Sequence, residues 1–560
     1  MAYREYDLWA APPSSDLQRF AHITSYAKYE RMPWRRTASG ADEELRAIER
    51  RDAGDVEQQS LDKTAFVPRR VFRRALSARF EHEIADASRH ALLRAAPEAT
   101  AFRLFTDSQN AVCALMLLTS IGLLIAAPAT VLIFLNVVFT VYFLVVIFFR
   151  AYLTIIAFTP GDAQTTFTPL PDAALPVVTI LLPVYDEAEG LPILVRAIRS
   201  IDYPADKLDI KLLLEADDEH TIREANRLGL DRLFDCVIVP NSEPRTKPKA
   251  CNHALYLARG DLIVIYDAED APEPDQLRKA AAAFAASDEN LACVQARLNF
   301  YNARENLLTR LFTLEYSLWF DFLLPALERL QIPIPLGGTS NFFRTRALIE
   351  IGGWDPYNVT EDADLGLRLA RCGYRTEILD STTFEEANCS IPNWIRQRSR
   401  WMKGYMQTWL VHMRAPVEFY RVAGWRSIVA THLFVAGNFF SALINPVSSI
   451  VFAAWLLTRA EIFSVSLPGP LLTLNLFALL VGNALFIGFA IVAPIKRGWS
   501  DLAPYALLAP AYWWLTSIAA YKALWQLLTR PTFWEKTDHV LSAAAKQRRL
   551  DALDVRLPSA

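Results

Sequence analysis

Acidic side chains collect where apolar runs end. Val177 to Tyr185 reads VVTILLPVY and passes into Asp186 and Glu187; IKLLLEA ends on Glu215-Ala216 with Asp217 and Asp218 behind it. LIVIYD closes on Asp267, followed by Ala268, Glu269 and Asp270. Such uniformly apolar runs predict strands buried on both faces, and in an open α/β sheet ligands bind beyond the carboxyl ends of strands. Acids at three such ends need a cation, or a ring of donors, to neutralise them. The acid–x–acid pair Asp267 and Glu269, with Asp270 as a spare, suits a hard divalent ion whose other positions go to phosphate and water. Asp217 suits the base or ribose of a nucleotide. Pro183, Tyr185 and Glu187 lie at the end of the first run, on the same edge.

A basic stretch answers these acids. Arg245-Thr246-Lys247-Pro248-Lys249 precedes Ala250-Cys251-Asn252-His253, and Lys249, opening a helix, is placed to face a diphosphate. The plain alternative is a solvated basic turn. Gly337-Gly338-Thr339-Ser340-Asn341 lets backbone approach a ligand closely. Val359-Thr360-Glu361-Asp362 leads into an amphipathic helix, with Thr360 as its N-cap and acids in its first turn. Those acids either serve only the helix or make Asp362, beside Glu361, a general base. In Arg396-Gln397-Arg398-Ser399-Arg400-Trp401, the residues Gln397, Arg400 and Trp401 share one helical face. Arginine suits a diphosphate and tryptophan a sugar ring; a juxtamembrane basic-aromatic helix is the alternative.

These groups must be positioned by something larger. The chain has 560 residues, net charge −3, 52% apolar and 21% charged residues, and mean hydropathy +0.15. That is too apolar for an ordinary soluble enzyme and too polar for a fully embedded carrier. The charge balance gives no support to nucleic-acid binding. Six cysteines without a C-x-x-C pair read as free thiols in a reducing compartment. The N-terminus has no apolar h-region, so no cleavable signal peptide is expected. Neither G-x-G-x-x-G after the first strand nor a P-loop motif is present.

The apolar excess is localised. Ser108 to Phe149 is uncharged with Pro128 near its middle, which predicts a helical hairpin over 111–127 and 129–149. Arg150 reads as its cytoplasmic flank. Further crossings are expected in 427–458, as one long span or, for an even count, a broken or interfacial pair around Pro446, in 471–495 and in 503–521, five or six in all. Between the blocks, strand-like runs at 177–185, 210–216, 236–240, 262–267 and 293–300 alternate with helical stretches, predicting a mostly parallel sheet. The arginine-rich stretch 67–103 reads either as an amphipathic helix on lipid or as a helical cap on the α/β domain. The organisation expected is 1–107 N-terminal and partly helical, 108–150 hairpin, 151–426 catalytic, 427–522 C-terminal membrane helices and 523–560 tail.

The ordered set P-V-Y-D-E, E-A-D-D, P-K-A-C-N-H, D-A-E-D, G-G-T-S-N, T-E-D and Q-R-S-R-W over 177–415 resembles the processive, membrane-integrated family 2 glycosyltransferases, the group of cellulose, chitin and hyaluronan synthases. The resemblance implies an α/β GT-A (Rossmann-like) fold inserted between membrane helices, a nucleotide-sugar donor such as UDP-glucose, and Mg2+ or Mn2+. It implies donor contacts from Pro183, Tyr185, Glu187, Asp217, Lys249 and Asp267, metal at Asp267 and Glu269, and catalysis by Asp362 with Glu361. It places Gln397, Arg400 and Trp401 at the acceptor and diphosphate. The glutamate at 269 departs from the family's usual aspartate. The tail Thr532-Phe533-Trp534-Glu535-Lys536-Thr537 resembles a gating loop of bacterial members. The implied product is a β-linked polysaccharide translocated across a bacterial inner membrane, with the catalytic domain cytoplasmic and with membrane lipids and accessory export subunits as partners. Two rival readings are transfer of one sugar to a polyprenyl phosphate and a non-catalytic transporter or scaffold.

Overall fold

The computed structural model describes residues 21–36, 42–48, 64–159, 168–458, 469–538 and 542–553. Its centre is an eight-stranded sheet: β1 (Val178–Val184), β2 (Leu208–Glu215), β3 (Asp235–Val239), β4 (Leu262–Ile265), β5 (Ala271–Pro272), β6 (Leu291–Phe300), β7 (Asn341–Arg344) and β8 (Arg375–Glu385), in the order β3-β2-β1-β4-β7-β6-β8-β5. Four residues of β4 and six of the seven in β1 are buried, as a strand covered on both faces requires. β1, β2, β3 and β4 pair in parallel. The sheet is mixed rather than mostly parallel, because the short β7 enters antiparallel between β4 and β6. β5, β7 and β8 lack a long apolar run, which is why the sequence did not reveal them.

Helices cover both faces. Leu181, Leu213, Ile263 and Ile265 point into one core, and Ile180, Leu182, Leu212 and Val264 into another, the alternation a strand imposes. The first core also takes Phe72, Leu76 and Ile84 from the helices Arg69–Arg79 and Glu81–Ala95. Arg73 pairs with Asp209 at 3.1 Å, and Asn252 donates to the Ser88 carbonyl at 3.2 Å. Of the two arrangements expected for this stretch, the structure has the helical cap. A three-stranded sheet of 31–36, 42–48 and 64–68 precedes it.

Four helices among the described residues are long and apolar enough to cross a membrane: Asp107–Ala126, Pro128–Phe158, Gly424–Thr458 and Gly469–Ile495. The hairpin turns at Ala127-Pro128 as expected, but its second helix runs to Phe158. Arg150 therefore lies inside the helix rather than flanking it. Ser427 to Thr458 is one helical run and not a broken pair. Pro446 stays within it, as apolar helices with packed neighbours tolerate. The stretch expected to cross at 503–521 is a 3-10 segment, Ser500–Leu508, followed by the helix Ala509–Thr529. That helix is not among the four; Ala519, Ala520, Ala523 and Leu527 bury it against Trp394, Met402 and Met406 of the helix Ile391–His412.

Candidate active site

The strand-end acids meet between the carboxyl ends of β1 and β4, where the strand order reverses. A cavity of about 1090 Å³ opens there, lined by Pro183, Tyr185, Glu187, Asp267, Glu269, Gly338, Glu361, Asp362, Gln397, Arg400 and Trp401. Asp217 stands beside it, paired at 2.5 Å with Arg245, which lines the wall. The predicted site residues thus converge from five separated stretches of chain, with one exception.

The exception is Lys249. It is fully buried and pairs with Glu215 at 2.9 Å, while also donating to the Ser242 carbonyl at 3.3 Å. It braces the loop from below and does not line the cavity. Lys247, two residues earlier in the same helical turn, does. Its ammonium donates to Asp267 and to the Gly338 carbonyl, the latter at 2.7 Å. Two residues on a helix differ by about 200° in direction, so the choice between these lysines needed the helix's rotation.

Asp270 organises the D-A-E-D turn. It is buried and accepts from the Asp267 N–H at 2.7 Å and from the Thr339 hydroxyl. Burial, then the charges of Asp267 and Glu269, hold its pKa well above the usual carboxylate range. Glu385, at the end of β8, is raised by burial and by Asp270, Glu269 and Asp267; no motif or apolar run marks it as part of this cluster. One oxygen of Asp270 is buried without a hydrogen-bond partner. These crowded carboxyls fit a divalent ion. Among the described residues no three His, Cys, Asp or Glu side chains form a ready cage.

Asp362 opens the helix Glu361–Arg371. Thr360 occupies the N-cap position, but its hydroxyl makes no cap bond and has no partner. The loop is fixed instead by the Ile391–His412 helix: Asn358 donates to the Thr408 hydroxyl at 3.0 Å, and the Val359 N–H donates to Gln407 at 3.2 Å. Below, Asp364 is held by Arg368 at 2.7 Å and by His412 at 3.1 Å. Burial raises both Glu361 and Asp362, Asp362 to about 6, and Lys247 and Arg400 partly offset it. An added Cβ on Gly338 would lie 3.3 Å from an Asp362 oxygen; glycine leaves the carboxylate open to a ligand.

Gln397 accepts from Asn388 at 2.9 Å. Trp401 lies near-parallel to Tyr316 at 6.2 Å, and the Arg398 guanidinium sits 4.8 Å from its ring. Arg400 donates to the Glu535 carbonyl at 3.1 Å and sits 4.8 Å from the Trp534 ring. The tail segment expected to gate the site therefore rests on this helix and lines the cavity mouth. At its other end the cavity passes between the apolar helices, lined by Asn438, Asn445, Asn483, Phe486, Tyr512 and Trp513. Trp455 and Trp514 are not among its lining residues. Arg150, missed as a site residue because the hairpin was expected to end before it, lines this end and donates to Asn438.

Residues 262–525 match the model of the glycosyl transferase family group 2. A probable glycosyltransferase, YdaM, of Bacillus subtilis (strain 168) is 27% identical over 234 residues, 41% of this chain and 55% of its own. Glucomannan 4-beta-mannosyltransferase 1 of Oryza sativa subsp. japonica is 27% identical over 285 residues, 48% of this chain and 54% of its own. The chain spans about half the length of the curated relatives it matches. Among solved structures, the mannosyltransferase PcManGT from Pyrobaculum calidifontis, in complex with GDP-Man and Mn2+, is 20% identical, with TM-score 0.48, over 70% of this chain and 99% of its own.

Proposed function

We propose that this chain, whose residues 262–525 match the glycosyl transferase family group 2, is an inverting, processive synthase with a GT-A fold. It builds a β-linked hexan from a nucleoside-diphosphate hexose and passes the product between its apolar helices. One observation carries this reading: a single cavity joins the acid and lysine cluster to Asp362 and Trp401 and continues past Asn438, Asn445 and Trp513. Amides and aromatic faces are the groups a chain of hydroxylated rings requires. The relatives named for 4-beta-mannosyl transfer support testing a mannosyl donor beside a glucosyl one.

In this reading Asp217 and Tyr185 hold the nucleotide, and Lys247 and Arg400 face the diphosphate. Asp362 removes the proton from an acceptor hydroxyl. That oxygen bonds to the anomeric carbon as the bond from carbon to the diphosphate oxygen breaks, and the nucleoside diphosphate leaves. One displacement inverts an α-donor to a β-linkage. Asp267 and Glu269 would hold Mg2+ or Mn2+, which adds positive charge beside the diphosphate. Trp401 supplies a flat wall for the acceptor sugar. The domain organisation set out above belongs to the same proposal, with Arg150 moved into the hairpin's second helix and the 503–521 crossing replaced by the Ala509–Thr529 helix.

The test is to incubate the purified full chain in detergent with UDP-glucose, GDP-mannose, UDP-N-acetylglucosamine and UDP-glucuronate in turn, with and without Mg2+ or Mn2+. Metal-dependent release of nucleoside diphosphate and a long β-linked product are expected. A single sugar on a lipid phosphate would overturn the processive part.

A further inference from the structure

The segment 531–538 lies antiparallel along one face of the Ile391–His412 helix. Asn393 donates to the Asp538 carbonyl, Arg400 to Glu535, Lys403 to Phe533 and Gln407 to Pro531. Another face of the same helix carries the loop before Asp362. Thr408 accepts from Asn358 there, and a Cβ on Gly404 would meet the Thr360 side chain at 2.2 Å. Gln407 belongs to both sets. Its side-chain oxygen accepts from the Val359 N–H at 3.2 Å, its side-chain nitrogen donates to the Pro531 carbonyl at 3.0 Å, and the residue is 1% exposed.

The two partners are chemical opposites, an N–H and a carbonyl. Only one orientation of the amide serves both. If the 531–538 segment lifts, the amide nitrogen loses the acceptor that fixes the amide's orientation. The amide then turns to a new partner, and its oxygen leaves Val359. The Thr360 hydroxyl offers the loop no substitute, since it makes no cap bond. We propose that Gln407 is a positioning residue that couples docking of the 531–538 segment to placement of Asp362. The Val359 hydrogen bond, one of the contacts that fix the loop before Asp362, is then secured while the segment is docked. This names a control on the proposed active site and rests on that reading for its catalytic consequence.

The experiment is hydrogen exchange of the full chain in detergent, without donor, read on peptides covering 357–364 and 531–538. Replacing Phe533 and Trp534 by alanine removes the rings facing Lys403 and Arg400, and faster exchange within 531–538 gauges the loosening. Exchange at Val359 should then rise about tenfold, the effect of one lost buried hydrogen bond. Gln407→Leu should give a similar rise alone, and the combined variant no more than Gln407→Leu. Gln407→Glu keeps the acceptor for Val359 but not the donor for Pro531. It should restore protection at Val359 and make it insensitive to the ring deletions. In turnover, Gln407→Leu should lower kcat about tenfold with donor KM within about twofold, and Gln407→Glu should recover part of it. Additive effects of the ring deletions and Gln407→Leu, or no response at 357–364 to a loosened segment, would overturn the coupling. Exchange is read without substrate, so the coupling and the glycosyl-transfer reading can fail separately.

Discussion

Turnover should rise about tenfold between pH 5 and pH 7. The perturbation is proton removal from the Glu361–Asp362 pair, whose members burial raises, Asp362 to about 6. A base works deprotonated, so a raised pKa means that activity grows as pH climbs through it. With a limb near 6, roughly a tenth of the base is ionised at pH 5 and roughly nine tenths at pH 7. An ordinary aspartate near ~3.9 would be ~90% ionised at pH 5, and the rate would change by about a tenth. The limb belongs to the pair as a unit. Lys247 lowers the Asp362 pKa, so Lys247→Met should move the limb to higher pH, by roughly half to one pH unit. The assay is nucleoside diphosphate release at saturating donor and acceptor, over a pH range in which the melting temperature is constant. A rate that is flat from pH 5 to pH 7, or a limb that Lys247→Met moves downward, would refute the reasoning.

Other outcomes follow from the same geometry. Asp362→Asn should cut kcat by about 10²–10⁴ while leaving donor binding, measured by calorimetry, intact. The two lysines should separate: Lys249→Met strips the buried partner from Glu215 and should cost about 3 kcal/mol in denaturant unfolding. Lys247→Met should instead lower turnover about 10²-fold, with a melting temperature closer to that of the parent. Gly404→Ala drives a methyl into Thr360 and should destabilise by about 1–3 kcal/mol and lower kcat, read by thermal melt and turnover. Chelation with EDTA should abolish transfer, and Mg2+ or Mn2+ should restore it.

Much of the site could be read from residue order. β1, β2 and β4 are legible as unbroken apolar runs, and each hands its acids to one sheet edge, so residue order alone puts Asp217, Asp267 and Glu269 at or beside the cavity. Gln397, Arg400 and Trp401 followed from helical spacing. What escaped was direction and distance. Lys247 and Lys249 differ only in how their helix is turned. Glu385 arrives from a strand with no apolar signature. Arg150 was misplaced because the hairpin helix continues past it to Phe158, and Pro446 suggested a break that the packed helix absorbs. Gln407 carried no signal at all, since its two hydrogen bonds reach 48 residues back and 124 residues forward.

The cavity takes its walls from both the sheet and the apolar helices. A fragment cut near residue 426 would keep the acid, lysine and arginine cluster of the cavity yet lose Asn438, Asn445, Asn483 and Trp513 from the far wall. It would also lose the 531–538 segment that rests on Arg400 and Gln407. Such a cut would thus divide the four apolar helices between the pieces, two with the sheet and two with the C-terminal part, and leave the cavity open at that end. The boundary visible in hydropathy runs through the middle of the cavity, and on the proposed reading the 1–426 fragment should bind nucleotide and fail to retain a growing chain.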